Sequence, residues 1–140
     1  MNINNINILS NQLAIIFRRK KEIISAYIIG SHATGKIRND SDFDLAVVVE
    51  NKKYCTTEEI YKLIRSLSFP KDLDLTIADH NSSPLFLFEV ISYGIRIYSR
   101  DPQSLSAIEA SFIHKYYDTS HIRNIYYSYL KDKFPQNAHK

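Results

Sequence analysis

The sequence predicts a domain of the α/β or α+β class, in which a small mixed β-sheet is flanked by helices. Short runs rich in Ile, Val, Leu and Tyr recur near residues 25, 45, 75 and 96, and helical patterns separate these runs. Residues 45–49 are all apolar, as expected of a central strand that is covered on both faces. No repeat or linker divides the 140 residues, so we expect a single domain over 1–140.

The elements expected in the N-terminal half are a helix over 9–21, a strand over 25–29, a polar turn over 30–41 and a strand over 42–49. The helix is predicted because apolar side chains recur at i, i+4, i+7 and i+8 from Leu9, which places them on one helical face. The first strand is dense in Ile and Tyr and stops at Gly30. Residues 1–8 are rich in Asn, and we expect them and the polar tail 135–140 to be loose.

The elements expected in the C-terminal half are a helix from 57 to just before 70, a strand over 73–78, a helix over 85–93, a strand over 95–98 and a long helical region from 101 to about 133. Proline at a helix start and glycine just past its end are ordinary helix boundaries, and Pro84 and Gly94 fit those positions. The strands over 42–49 and 73–78 are expected to pair in parallel, because a helix crosses between them.

The composition indicates in which compartment the protein works and which kinds of partner and metal ligand it can have. The net charge is only +3, from 18 basic and 15 acidic residues. This small excess of positive charge does not by itself indicate a surface that binds nucleic acid directly. The only cysteine, Cys55, has no partner for an internal disulfide, and no secretory signal is evident. The apolar stretch 23–29 is too short to span a bilayer. We therefore expect a cytoplasmic protein without membrane contact, whose metal ligands are oxygen atoms or histidine.

Glycine is scarce, and its placement is informative. Two of the three glycines, Gly30 and Gly35, lie in one turn after the first strand, where backbone N–H groups can point at phosphate oxygens. A tight connection without any ligand explains the turn equally well. Gly30, Gly35 and Lys36 also match most of a P-loop, but Ile37 stands where that motif needs a hydroxyl for Mg²⁺. A P-loop is therefore disfavoured.

Pairs of aspartates begin the second and third strands. Asp42 and Asp44 are two residues apart, so both carboxylates project from one face, roughly 7 Å apart at the Cα atoms. Asp72 and Asp74 repeat this arrangement in the third strand. If the second and third strands are neighbours in the sheet, one of these two residues lies beside Asp42 and Asp44. We favour Asp74, because it sits deeper in its apolar run.

Three carboxylates on one sheet face predict a site for a hard metal ion. Such a site suits phosphoryl or nucleotidyl transfer by two metal ions, in which the third carboxylate accepts the proton of the attacking hydroxyl. The alternative is that these aspartates are strand-edge charges that keep the sheet soluble. That alternative leaves the glycine turn unexplained.

These residues carry a family resemblance. Gly30-Ser31, ten further residues and then Asp42-Phe43-Asp44 resemble the defining pattern of the DNA polymerase beta-like nucleotidyltransferase superfamily. The longer string that is similar to its minimal nucleotidyltransferase (MNT) branch is GSHATGKIRNDSDFDLAVVV, and the resemblance extends over about residues 10–130.

The resemblance implies the polymerase beta-like fold and a set of site residues. Gly30 and Ser31 would hold the triphosphate of ATP, Asp42 and Asp44 would bind two Mg²⁺ ions, and Asp74 would be the third carboxylate. Thr34 departs from the family, because members often carry Arg at its position. Lys36, with Arg38 as the alternative, is the expected replacement for that phosphate contact.

The resemblance also implies a function. Many minimal nucleotidyltransferases are antitoxins of HEPN-domain ribonuclease toxins, and they resemble enzymes that silence the toxin by transferring AMP from ATP to one of its tyrosines. Such a protein would form a hetero-oligomer with its toxin. The aromatic residues of the region 101–133 would suit docking to a helical partner or, equally well, packing on the chain's own sheet. The alternatives are an antitoxin that acts by binding alone and a nucleotidyltransferase for a small molecule.

Overall fold

The computed structural model describes residues 3–35 and 42–133. Four strands and six helices make up these ranges. In chain order they are α1 (Ile3–Arg18), β1 (Ile23–Ile29), α2 (Ser31–Thr34), β2 (Phe43–Val49), α3 (Thr57–Ile64), β3 (Leu73–Ala78), α4 (Pro84–Tyr93), β4 (Ile95–Ser99), α5 (Pro102–Asp118) and α6 (Ser120–Lys133).

The four strands form one mixed sheet in the order β3-β2-β1-β4. β1 pairs antiparallel with both β2 and β4, whereas β2 and β3 are parallel, as the crossing helix α3 predicts. β2 is the most deeply buried strand, and Asp44 is its only residue that is not buried. The predicted fold class, a small mixed sheet flanked by helices, is confirmed.

Helices cover both faces of the sheet. The odd-numbered positions of β2, beginning with Phe43, share a cluster with Leu13 of α1 and Ile60 of α3. Ala46 and Val48 face the other way and share a second cluster with residues of α4 and α5, among them Leu87, Val90 and Phe112. Since side chains alternate along a strand, Asp44 projects toward the α4 side of the sheet.

Several features of the helices differ from the sequence prediction. α1 begins at Ile3, so residues 3–8 are helical rather than loose, because Ile6 and Leu9 extend its apolar face onto the core. The turn that follows β1 contains the short helix α2. The long C-terminal helical region divides at Thr119, whose φ of −95° and ψ of 3° end α5. The tail 135–140, also expected to be loose, lies outside the described residues.

Gly94 ends α4 in a way that differs from the usual glycine cap. Its φ is −75°, so it does not need the left-handed conformation that favours glycine. A Cβ at this position would lie 2.4 Å from the backbone oxygen of Val90 and 3.2 Å from a methyl group of Ile29. Glycine is required here mainly because a Cβ would collide with the last turn of α4 itself, and the close approach to β1 adds to the crowding.

Candidate functional site

The site forms where β1 ends beside the start of β2. Ile29, the last residue of β1, is paired with Asp44, and Gly30 follows with φ 70° and ψ −147°, a conformation that is essentially restricted to glycine. A Cβ on Gly30 would lie 2.2 Å from Oδ2 of Asp44. The absence of a side chain at Gly30 therefore leaves the space that the Asp44 carboxylate occupies.

The predicted phosphate turn is a single helical turn. The N–H groups of Ala33 and Thr34 donate to the Gly30 carbonyl at 3.1 and 3.2 Å, and Gly35 ends the turn in the left-handed conformation with φ 80°. Ser31 is the first residue of α2, directly after Gly30. The structure thus brings Gly30 to Asp44, with Ser31 next to it in the chain, while Lys36 lies outside the described residues.

The three predicted carboxylates meet at the starts of two neighbouring strands. Asp44 is paired in register with Asp74 of β3, and Asp42 directly precedes β2. Asp44 is half-buried, whereas Asp42, Asp72 and Asp74 are exposed. Asp74 lies within β3, whereas Asp72 directly precedes the strand. The register is what distinguishes Asp74, because it places this residue beside Asp44.

The electrostatics of Asp44 reflect this crowding. Its pKa is raised by burial, then by the charges of Asp74 and Asp42 and by a hydrogen bond with Asp74, while nearby His32 acts in the opposite direction. Asp44 therefore holds a proton more readily than an isolated carboxyl group does.

The carboxylates fit a metal ion through their chemistry. Over residues 3–35 and 42–133, no group of three or more His, Cys, Asp or Glu side chains is arranged so that it could hold a metal ion. The contact between Asp44 and Asp74 nevertheless places two oxygen-donor carboxyl groups together, with the charge of Asp42 acting on them. A divalent cation would offset the negative charge that crowds Asp44, and carboxylate oxygens are the ligands that Mg²⁺ prefers.

His32 occupies an unexpected position. It lies in the turn after β1, yet it is only 7% exposed. The ring lies 5.2 Å from the ring of Phe43, centroid to centroid, and Nδ1 has no hydrogen-bond partner among the described residues. His32 thus anchors α2 to the start of β2, which sequence spacing alone did not indicate.

A pocket of about 390 Å³ opens beside the carboxylates. The residues that line it come from the site and from α4, namely Ile29, Gly30, Thr34, Asp44, Phe86, Glu89, Val90, Tyr93 and Gly94. The sequence analysis did not single out the α4 residues. Their spacing of i, i+3, i+4 and i+7 from Phe86 marks one helical face, and that face mixes polar with apolar residues.

Comparisons with known proteins agree with this architecture. A family model described as polymerase beta, nucleotidyltransferase matches residues 11–103. A chain of a toxin–antitoxin complex crystallised with AMP-PNP superposes with a TM-score of 0.66 at 19% identity, over 89% of this chain and 98% of that chain. A chain of a MntA–HepT toxin–antitoxin complex superposes with a TM-score of 0.61 at 19% identity, over 91% of this chain and 97% of that chain.

A third solved structure contains a tri-AMPylated HEPN toxin of Shewanella oneidensis in complex with an MNT antitoxin. A chain of that complex superposes with a TM-score of 0.62 at 18% identity, over 91% of this chain and 97% of that chain. The comparison with curated proteins gives no match. Within the described ranges, no helix is long and apolar enough to cross a membrane.

Proposed function

Because the chain belongs to the polymerase beta nucleotidyltransferase family, we propose that it is an antitoxin that transfers AMP from ATP to a tyrosine of a partner HEPN toxin. The observation that carries this proposal is the position of Asp44, which lies between the Gly30 turn and Asp74. Membership of this family indicates the class of reaction, which is nucleotidyl transfer. The toxin–antitoxin complexes with similar folds, one with AMP-PNP and one with an AMPylated toxin, support the choice of donor and acceptor.

In the proposed reaction, Gly30 and Ser31 hold the triphosphate and Lys36 adds a positive charge. Backbone N–H groups at a glycine turn suit phosphate oxygens, and Gly30 carries no side chain that would keep phosphates at a distance. Asp42, Asp44 and Asp74 would hold Mg²⁺, which when bound supplies the positive charge that offsets the phosphates and the crowded carboxylates. Asp44 is the central ligand because both other aspartates act on it.

Asp74 is the proposed acceptor of the tyrosine proton. Its side chain is exposed, so an incoming hydroxyl can reach it, and its register partner Asp44 stays at the nucleotide. The tyrosine oxygen forms a bond with the α-phosphorus, the bond from that phosphorus to the pyrophosphate oxygen breaks, and the proton passes to Asp74. A general base in this position contributes about 10²- to 10⁴-fold to a rate.

The C-terminal helices provide a surface for the proposed toxin. Phe112 and Tyr116 of α5 pack on the chain itself, since Phe112 is buried and the Tyr116 ring stacks on Phe88 at 4.0 Å. No residue of α6 is buried, although all fourteen are described. Large side chains of α6 are 53–68% exposed, and these are Ile122, Ile125, Tyr126, Tyr127 and Tyr129. Such an apolar helix face is typical of a binding surface.

The proposal is tested by measuring the intact mass of the partner HEPN protein after incubation with this protein, ATP and Mg²⁺. We expect the mass of the toxin to increase in steps of one AMP, and peptide mapping to locate the AMP on tyrosine. The double variant Asp42→Ala/Asp44→Ala should add no AMP. The variant Asp72→Ala is the matched control, because Asp72 is exposed and is not the register partner of Asp44.

Two results would contradict the proposal. A toxin that is bound and silenced without any gain in mass would indicate an antitoxin that acts by binding alone. Equal gain in mass with the wild type and with Asp42→Ala/Asp44→Ala would mean that these carboxylates are not the catalytic centre. Omission of Mg²⁺ should stop the reaction, and unchanged transfer in a chelator would overturn the assigned role of the metal.

A further inference from the structure

β3 is an edge strand of the sheet, and it carries Asp74. The N–H of Phe43 in β2 donates to the carbonyl of Asp72 at 2.9 Å, so Asp72 and Asp74 direct their backbone groups toward β2. Leu73 and Leu75, on either side of Asp74, therefore direct theirs away from the sheet. Backbone groups on such an open edge have no neighbouring strand to bind, so the strand is free to fray unless another part of the chain covers them.

The hydroxyl of Tyr61, in α3, covers this edge on both sides of Asp74. It donates to the carbonyl oxygen of Leu73 and accepts from the N–H of Leu75, and the donor–acceptor distance is 3.3 Å in both hydrogen bonds. A phenolic hydroxyl can do both, because it has one hydrogen to donate and lone pairs that accept. One side-chain oxygen thus takes the place of two inter-strand hydrogen bonds, and these two bonds flank Asp74.

α3 holds Tyr61 in this position independently of the hydroxyl. The neighbouring Ile60 and Ile64 are buried in the core, and the Thr56 hydroxyl caps the helix by accepting from the N–H of Glu59 at 3.3 Å. Tyr61 itself is 37% exposed, so it lies at the border of the sheet rather than in the core. Removal of the hydroxyl alone should therefore leave α3 and the core in place, and its effect should arise at the β3 edge.

The position of the Asp74 carboxylate depends on the β3 backbone. Asp74 is exposed, so neighbouring side chains do not enclose it, and the β3 backbone sets the point from which it projects. We propose that Tyr61 is a positioning residue for Asp74, whose hydroxyl holds the β3 backbone so that the carboxylate meets the proton of the acceptor tyrosine. This inference rests on the proposed function, which makes Asp74 the proton acceptor. Proton transfer needs hydrogen-bond reach, about 2.6–3.2 Å, so a small displacement of the strand is enough to matter.

The first measurement is the rate of AMP transfer to the partner HEPN toxin, followed by intact mass at several ATP concentrations. Tyr61→Phe removes only the hydroxyl and should lower kcat about 10-fold, because Asp74 then spends part of the time away from its position. The KM for ATP should stay within about two-fold of the wild type, since the proposed triphosphate site lies at Gly30 and Ser31. Tyr54→Phe is the matched control. Tyr54 is 65% exposed, and within the described part of the chain its ring contacts Lys53 and its hydroxyl makes no hydrogen bond to β3.

The second measurement is amide hydrogen exchange, which needs neither toxin nor ATP. The amide of Leu75 should exchange about 10-fold faster in Tyr61→Phe than in the wild type, because it loses its hydrogen-bond acceptor. The amide of Val47, in the central strand β2, is the internal reference and should exchange at the same rate in both proteins. This result reports on the β3 edge directly, whatever the rate of transfer.

The third measurement is a double-mutant cycle, which shows whether the hydroxyl acts through Asp74. Asp74→Asn should lower the rate of transfer about 10²- to 10⁴-fold, and long incubations make the remaining gain in toxin mass measurable. Tyr61→Phe should lower the rate of Asp74→Asn by less than about two-fold, because the group that it positions is already gone. A role of the hydroxyl in general stability would instead multiply the two losses.

The outcomes separate this inference from the proposed function. If the wild type transfers AMP and Tyr61→Phe does so at the same rate, or if the exchange of the Leu75 amide is unchanged, the positioning role is wrong while the proposed function stands. A higher KM for ATP at unchanged kcat would mean that Tyr61 serves the nucleotide, and multiplied losses in the cycle would mean that it serves the fold. Either result overturns the inference alone. A wild-type protein that transfers no AMP to the toxin would overturn the inference and the proposed function together.

Discussion

Replacement of Gly30 by alanine tests whether the Gly30 turn and the Asp44 carboxylate share one space. The added Cβ would lie 2.2 Å from Oδ2 of Asp44, so the carboxylate would have to move by at least about 1 Å to restore ordinary contact. Displacements of that size in a catalytic group cost on the order of 10²-fold in rate. We therefore expect Gly30→Ala to lower the rate of AMP transfer about 100-fold or more.

The same substitution should also reduce stability. Alanine at φ 70° and ψ −147° costs about 1–3 kcal/mol of backbone strain. For a chain of this length, each kcal/mol lowers the melting temperature by roughly 3–4 °C. A thermal unfolding curve should thus shift down by roughly 3–12 °C. The double variant Gly30→Ala/Asp44→Ala should recover part of that shift, because it removes the carboxylate that the new methyl group meets.

Gly35→Ala is the matched control, because it changes the other glycine of the same turn. Gly35 also has a positive φ, 80°, but a Cβ there would have no atom of the described residues within 4 Å. It should cost about 1 kcal/mol of stability and leave the rate of transfer within a few-fold of the wild type. If Gly30→Ala transfers AMP at the wild-type rate, or if Gly35→Ala loses as much rate as Gly30→Ala, the steric coupling of Gly30 to Asp44 is refuted.

Two further predictions concern stability and partner binding. Burial acts to raise the pKa of Asp79, but backbone N–H groups of Lys52 and Asn81 donate to its carboxylate and hold the pKa below the usual value. The contribution of the Asp79 carboxylate to stability is therefore complete above about pH 4 and is lost as the pH falls through the lowered pKa. The free energy of unfolding in urea should thus depend less on pH between about 2 and 4 for Asp79→Asn than for the wild type. An unchanged pH dependence would refute this. Tyr126→Ala should weaken capture of the HEPN toxin by about 1–2 kcal/mol, whereas the exposed Tyr54→Ala should not, and equal loss in both would argue against α6 as the docking surface.

Local signals in the sequence were sufficient for the elements whose boundaries are determined by neighbouring residues. β3 was predicted over 73–78 and has those bounds, because its apolar residues are flanked by Pro70 and the polar residues from Asp79 onward. The start of α4 also follows from a local signal, since the Ser83 hydroxyl accepts from the N–H of Phe86 and Pro84 occupies the first turn. These interactions span only a few residues, and their pattern is visible without the fold.

The features that the sequence did not predict depend on contacts between distant segments. The low helix propensity of Asn masked the first turns of α1, which form because Ile6 packs on the core. His32 looked like a loop residue until the fold placed it on Phe43. The sequence analysis favoured Asp74 for its place in the apolar run, but the parallel register is what brings it to Asp44. Spacing within one strand could not supply that pairing.

Under the proposed function, the position of α4 allows a domain of this size to serve a nucleotide and a protein partner together. One face of α4 lines the pocket that contains Asp44, while its first turn, at Ser83 and Leu85, borders a second pocket formed with Tyr126 of α6. Since Asp44 projects toward the same side of the sheet, a toxin docked on α6 would approach the side that contains the proposed nucleotide site. A partner bound at the β3 edge would instead meet the outer side of Asp74. Under the proposed function, the exposed aromatic residues of α6 therefore serve catalysis by bringing the acceptor tyrosine to the α4 side.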